Sequence, residues 1–288
     1  SSWLAPDGEV HGYVPLVVVS SRQAVWAGAR KRQKPRDGAM ADGAPMLFDN
    51  PAEAFTMPQS NASMVEVLVQ NGSLRTKECI DAFAAVDRQH FWVEDHMELI
   101  YADTPLRHGR LHVSAPQIYG EALESLAPLG PGMSFLNVGS GTGYFNTIVS
   151  QLTGELSTNH GIDIWPEVLE HAEERSRRLG KKGIQFFSGN VYQLDIEQSM
   201  RYDRIYIGAC ANSRSKYLYR LLEVGGVLVG PFQAGRTQQL RRVVRQTEAQ
   251  FSVEVLESVR FASLVEPRPW RPSCTSSSCG TATPCSVM

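Results

Sequence analysis

A short run of glycines stands where the backbone must bend hard. Gly139-Ser140-Gly141-Thr142-Gly143 follows the apolar run Phe135-Leu136-Asn137-Val138 and opens a helical pattern at Tyr144. Glycine suits a sharp turn and a close approach of backbone to ligand. The dinucleotide fingerprint G-x-G-x-x-G needs its third glycine at position 144, which is Tyr144. The spacing here is G-x-G-x-G, which suits a nucleoside lying along the loop with no pyrophosphate to hold on the helix end. A P-loop is excluded, because no Gly-Lys-Ser/Thr follows. Twenty residues beyond Gly143, Asp163 ends a second apolar run. A carboxylate there can accept both hydroxyls of a ribose. The plainer reading is a turn Asp that caps the next helix.

These residues need a scaffold, and the flanking pattern supplies one. Met64, Val65, Leu68 and Val69 form a helical stripe stopped by Asn71-Gly72. Thr76 caps a second helix with Ile80, Phe83, Ala84 and Val86, and a His-rich loop follows. Pro116 opens a third helix with Ile118, Ala122, Leu123 and Leu126 inward. Next come a strand at Phe135–Val138, a helix at Tyr144–Leu152 and a strand at Gly161–Ile164. A helix begins at Pro166, with Arg175, Arg177 and Arg178 late to match its dipole. Strands at Ile184–Phe187 and Asp203–Ile207, a helix at Ser215–Leu222 and a strand at Val227–Val229 complete the alternation. Two longer strands, over 240–244 and 251–264, read as antiparallel. This order predicts an α/β fold: a doubly wound, mostly parallel seven-stranded sheet with an N-terminal helical cap. Such a sheet binds ligands at the carboxyl ends of its strands, where the strand order reverses. Strand, G-x-G-x-G, helix, strand and Asp in that order point to S-adenosylmethionine.

The chain has 288 residues, with 28 Lys plus Arg against 30 Asp plus Glu, a net charge of −2. That balance argues against a nucleic-acid binder working through a broad basic face. Of five cysteines, Cys274, Cys279 and Cys285 fall near the C terminus, leaving a poor disulfide framework and implying a reducing, intracellular compartment. No stretch reaches the roughly 20 apolar residues of a membrane span. Val14–Val19 is followed, not preceded, by basic residues, the wrong order for a signal peptide. We expect a poorly ordered extension over 1–59, one domain over 60–266 and a Ser/Pro/Cys-rich tail over 267–288. Cys285-Ser286-Val287-Met288 fits the C-a-a-X pattern for farnesylation, with Cys274 and Cys279 available for palmitate. A cytoplasmic monomer is the expectation, with membrane association only through that tail. His108 and His112 are four apart, near His90 and His96, but lack a matching Cys or carboxylate, and no metal is expected. Arg236, Arg241, Arg242 and Arg245 would attract acidic substrate or form a solvated strand face.

Leu136-Asn137-Val138-Gly139-Ser140-Gly141-Thr142-Gly143, preceded by Val113-Ser114-Ala115-Pro116 and Glu121–Leu126, resembles the protein-L-isoaspartate O-methyltransferase family. Leu74-Arg75-Thr76, Ala85-Val86-Asp87-Arg88, His108-Gly109, Asn159-His160-Gly161-Ile162, Tyr202–Tyr206 and Val224-Gly225-Gly226 are closer to its isoaspartyl methyltransferase domain-containing subfamily. The resemblance covers residues 62 to 266. It implies a class I, Rossmann-like methyltransferase that moves a methyl group from S-adenosylmethionine to the free carboxylate of L-isoaspartyl residues in damaged proteins. The ester then closes to a succinimide unaided, which begins repair. By resemblance, Ser114 is the active-site serine, its hydroxyl orienting the acceptor carboxylate; the other reading is a helix cap before Pro116. The same likeness assigns Asn137, Gly139, Ser140, Gly141, Thr142, Gly143, Asp163, Ile164, Asn190 and Val191 to the cofactor. Asn137 and Asn190 stand where the family has Asp, so weaker hold on a cationic cofactor is expected. Phe261-Ala262-Ser263-Leu264 is similar to the substrate-side strand but lacks its usual Pro. Two alternatives are a recognition module that binds the cofactor and damaged proteins with weak turnover, and methylation of a different carboxylate or a small molecule. In the subfamily such modules carry an extension that recruits ubiquitin-ligase components, with no obvious equivalent here.

Overall fold

The computed structural model describes residues 57–212 and 215–266. Both ends of the chain, including Cys274, Cys279 and Cys285, lie outside the described residues. Helix α1 (Asn61–Gln70) starts at Ser60, which shares a capping box with Ser63. Helix α2 (Lys77–Ala84) has Thr76 at its N-cap position, but the Thr76 side chain donates instead to Glu124, 3.2 Å away. Helix α3 (Pro116–Leu126) receives both, and the three form the predicted cap.

The main sheet is built from β3 (Phe135–Val138), β4 (Asn159–Asp163), β5 (Ile184–Ser188), β6 (Tyr202–Ile207), β7 (Leu222–Ala234), β8 (Thr237–Arg245) and β9 (Phe251–Val259). Its order is β5-β4-β3-β6-β7-β8-β9. The first five strands run parallel, and β8 and β9 return antiparallel. The order therefore reverses at β3, where the chain leaves toward β4 on one side and β6 pairs on the other. A crevice at this switch follows from topology alone.

Period-two alternation sorts the core into two layers. Phe135, Tyr206, Val227 and Val229 face one side with α1, α2, α3 and helix α4 (Tyr144–Thr153). Leu136, Val138, Ile205, Ile207 and Leu228 face the other. Helix α5 (Pro166–Arg178) packs beside α4 against β4 and β5. The second face is covered differently from the expectation. The helix predicted at Ser215–Leu222 is a 3-10 turn over Ser215–Leu221, and the link between β5 and β6 holds only a 3-10 turn at Val191–Gln193. Ser215 opens onto Asn212 and Tyr192 through its hydroxyl, which competes with regular helical bonding.

Three further boundaries differ. The glycines expected before the fifth strand lie inside β7; a Cβ on Gly226 would stand 3.0 Å from the Tyr202 carbonyl oxygen, so only glycine lets the strands close there. The last predicted strand ends at Val259, not Leu264, because the 261–265 segment turns to pair with the exit of β6. The His-rich loop contains a small hairpin, β1 (Leu106–His108) with β2 (Leu111–Val113), turning at Gly109. The late arginines are not simply solvated either. Arg245 is buried and donates to the Leu222 carbonyl at 2.6 Å, and Arg242 donates to the Ser125 carbonyl at 2.9 Å.

Candidate active site

The glycine loop closes the crevice from below. The amides of Gly139 and Ser140 both donate to the Ile162 carbonyl, at 2.8 and 3.1 Å, which pins the loop to β4. Gly141 has φ +54°, a left-handed conformation that favours glycine. A Cβ there would also lie 3.0 Å from the His112 carbonyl oxygen. The loop is therefore a fixed cradle, its amides held by Ile162, Asp163 and Ser140, with Gly139 and Gly141 lining the cleft.

Asp163 sits at the carboxyl end of β4 and lines that cleft. One carboxylate oxygen accepts from the Gly141 amide at 3.1 Å and the other from the Trp165 amide at 3.3 Å. Burial pushes its carboxyl above the usual carboxylate range, while these amides pull the other way. Each oxygen keeps lone pairs free for a diol. Ile164 and Val191 supply apolar wall, and Gly189 lines the cleft with them.

The sequence-assigned residues do not all meet here. Gly139, Gly141, Asp163, Ile164 and Val191 line the cleft with Ser114. Asn137, Ser140, Thr142, Gly143 and Asn190 do not. Asn137 is buried on the opposite side of β3 and donates to Asn146 Oδ1 at 2.7 Å. Asn146 in turn donates to Asn159 Oδ1 and to the His160 carbonyl, at 2.9 and 3.1 Å. Asn190 caps the 3-10 turn after β5 by accepting from the Tyr192 amide, and donates to the Val265 carbonyl at 2.9 Å. Thr142 and the Ser140 hydroxyl are buried in the loop itself, and Gly143 serves as the N-cap of α4.

Ser114 stands between β2 and α3. Ala115 occupies the N-cap position of α3, so the Ser114 hydroxyl is not spent on capping. Its amide donates to the Tyr119 hydroxyl at 3.2 Å, and Oγ lies 3.5 Å from His112 Nε2. The opposite wall comes from Gly208 and Ala209, just past β6, and from Ala262, Ser263 and Leu264. Backbone bonds hold the latter segment in place, Cys210 to Ala262 at 2.6 Å and Leu264 to Cys210 at 2.8 Å. Burial raises the Cys210 thiol to about 11, which leaves it protonated and unreactive near neutral pH.

Sequence reasoning missed Arg110, His112 and Trp165, which also line the cleft. Arg110 lies over the Trp165 ring at 3.7 Å and forms an ion pair with Glu167, spanning from the hairpin turn to the first turn of α5. His108, which paired with His112 in a metal-like spacing, bonds Asp95 at 2.9 Å instead. Among the described residues, no three His, Cys, Asp or Glu side chains gather as a metal site would require. Of Arg110, His112 and Ser114, only His112 lies within β2, and a strand of three residues carries no readable period in the sequence.

Chemically, the cleft offers a carboxylate with free lone pairs, a close-approach glycine loop, apolar walls and the Ser114 hydroxyl. It suits a nucleoside on the Asp163 side and a small polar acceptor beside Ser114.

Comparison with known proteins gives one answer. The family model for protein-L-isoaspartate(D-aspartate) O-methyltransferase matches residues 59–268. A protein-L-isoaspartate O-methyltransferase of Ignicoccus hospitalis is 28% identical over 73% of this chain and 99% of its own. One from Methanococcus maripaludis is 30% identical over 70% of this chain and 94% of its own. Among solved structures, a Plasmodium falciparum protein described as a protein-L-isoaspartate O-methyltransferase, in complex with S-adenosyl-L-homocysteine, superposes with TM-score 0.64. It is 25% identical, over 72% of this chain and 99% of that one. A second structure of that enzyme name has TM-score 0.63 at 21% identity, covering 72% of this chain and 66% of its own, and supports the shared fold. With more than two thirds of its length matched, the chain belongs to the protein-L-isoaspartate(D-aspartate) O-methyltransferase family.

Proposed function

We propose that this chain binds S-adenosylmethionine in the cleft and methylates the free carboxylate of L-isoaspartyl residues in damaged proteins. The observation that carries the reading is that Asp163 and Ser114 line one cleft, within a chain of this family. The residues fit the cofactor. Gly141 leaves no room for a Cβ beside the His112 carbonyl, so the backbone stays open to close approach, and Asp163 keeps acceptor capacity on the cleft. Gly139, Gly141, Asp163, Ile164 and Val191 would hold it.

The cofactor supplies a methyl carbon on a cationic sulfur, which a carboxylate oxygen can attack directly, the sulfur keeping the electron pair. The acceptor is already ionised near neutral pH. No general base is therefore required, and the protein's work is alignment and exclusion of water. Ser114 donates its hydroxyl hydrogen to the acceptor carboxylate and fixes one oxygen toward the methyl group. Tyr119, through the Ser114 amide, holds the backbone at that point. Ala262, Ser263 and Leu264 form the wall along which the substrate chain runs.

The test is methyl transfer from labelled cofactor to matched isoaspartyl and aspartyl peptides, with wild type and Ser114→Ala. Transfer confined to the isoaspartyl peptide, and reduced about 100-fold in the variant while cofactor binding persists, is expected, in the range for loss of one positioned donor. Cofactor binding without transfer by the wild type would refute the enzyme reading. Equal transfer to both peptides would refute the substrate.

A further inference from the structure

The β1–β2 hairpin presents Arg110, His112 and Ser114 to the cleft, and His112 has no part in the chemistry so far. Its position is unusual in touching both halves of the site. Its carbonyl oxygen packs against Gly141 in the cofactor cradle. Its imidazole Nε2 lies 3.5 Å from Ser114 Oγ. Its Nδ1 is buried with no hydrogen-bond partner.

Burial first, then repulsion from Arg88 and Arg107, lowers the imidazole to about 4; the Leu106 carbonyl, near the ring but out of bonding geometry at Nδ1, acts weakly the other way. The ring is therefore neutral near pH 7 and offers one N–H and one lone pair. A buried lone pair without a partner is better tolerated than a buried N–H without one. The partnerless Nδ1 thus favours the tautomer that carries its hydrogen on Nε2. In that tautomer the ring donates to Ser114 Oγ, and the hydroxyl keeps its own hydrogen for the cleft. In the other tautomer the hydroxyl would donate into the ring and present only lone pairs to an anion.

We infer that His112 is a positioning residue for the acceptor: Nε2–H donates to Ser114 Oγ and so turns the Ser114 hydroxyl hydrogen toward the substrate carboxylate. This rests on the isoaspartyl reading of the cleft, since it requires an anionic acceptor beside Ser114. The 3.5 Å separation is long for a hydrogen bond, and contacts of this kind tighten when substrate arrives. Within the resemblance, Ser114 orients the acceptor; His112 explains what orients Ser114.

The experiment uses the full chain with His112→Gln, His112→Asn and His112→Leu, each alone and combined with Ser114→Ala. The glutamine amide can place its N–H where ring Nε2 stands, whereas asparagine reaches only the Nδ1 position. His112→Leu and His112→Asn are expected to lower kcat on an isoaspartyl peptide about 10- to 100-fold, the range of coupling between contacting residues. The KM for cofactor stays near wild type. His112→Gln stays within about threefold of wild type, and none of the three lowers kcat further once Ser114 is Ala. Nitrogen-15 NMR of labelled histidine gives a readout independent of turnover: Nε2 is protonated, and its resonance moves in Ser114→Ala. Losses that multiply with Ser114→Ala, equal rescue by Asn and Gln, or a proton on Nδ1 would each overturn the inference. A wild type that leaves the isoaspartyl peptide unmethylated would fail the functional reading. An Nε2 resonance that ignored Ser114→Ala would overturn the His112 contact in that case too.

Discussion

Substituting Asn137 by Asp puts the two readings of this residue in direct opposition. Resemblance sets Asn137 where the family has Asp, so Asn137→Asp would restore a negative charge and tighten the hold on a cationic cofactor. The structure predicts a different outcome. Asn146 spends both amide hydrogens on Asn159 Oδ1 and the His160 carbonyl, so its Oδ1 must face Asn137. Position 137 therefore has to donate, and it does, at 2.7 Å, from a fully buried amide. A carboxylate there sets oxygen against oxygen in the core. The lost bond and the unsatisfied acceptor cost about 1–3 kcal/mol. An unpaired buried charge raises the total to about 3–5 kcal/mol. For a domain of this size that lowers Tm by about 6–20 °C. Burial would raise the new carboxyl above the ordinary Asp value near 3.9 in the unfolded chain. The cost is then complete above the folded-state value and fades as the pH falls toward the unfolded one. The protonated acid can also donate to Asn146 Oδ1 and restore the bond. Thermal unfolding at pH 7.5 and pH 5, with calorimetric titration of cofactor, tests this. An unchanged or raised Tm at pH 7.5, together with tighter cofactor binding, would refute the core reading of Asn137.

Other outcomes follow from the same geometry. Gly141→Ala should weaken cofactor binding at least tenfold, because a left-handed alanine costs about 1–2 kcal/mol and its Cβ would press on the His112 carbonyl; unchanged affinity by calorimetry would contradict the cradle. Because burial raises the Asp163 carboxyl, cofactor affinity should fall on acidification at a higher pH than an ordinary carboxylate would give, the charged form being the one that binds. In Asp163→Asn that pH dependence should vanish, and its persistence would point to another group. Trp165 lines the cleft, so cofactor titration should change tryptophan fluorescence; a change of the same size in Trp165→Phe would place the ligand elsewhere.

Much of this was legible in the residues. The glycine spacing and Asp163 mark the cofactor side because sharp turns and diol recognition leave few choices of residue type. Helices α1 to α5 were readable from their stripes and stops. The hairpin was not, since strands of three residues are too short to show a period, and with it went Arg110 and His112. Asn137 was assigned to the cofactor by resemblance, which says nothing of its face; alternation with Phe135, which faces the helices, puts its side chain among them. The 3-10 turn over Ser215–Leu221 carries apolar residues at helical spacing, and only its side-chain bonds to Asn212 and Tyr192 distinguish it.

The bridge from Arg110 to Trp165 and Glu167 has a consequence for the ionic environment. Both charged partners are about half exposed, at 47% and 51%, so the pair contributes no more than about 1 kcal/mol and is screened by salt. The stacked ring persists when the charge is screened, so the hairpin stays near α5 while its polar tie loosens. A tie this weak opens in a sizeable fraction of molecules at any moment. Raising ionic strength should therefore quicken the escape of spent cofactor past this edge, as it loosens other exposed ion pairs such as Lys77–Asp81 and Arg201–Glu248, while the buried sheet beneath is little disturbed.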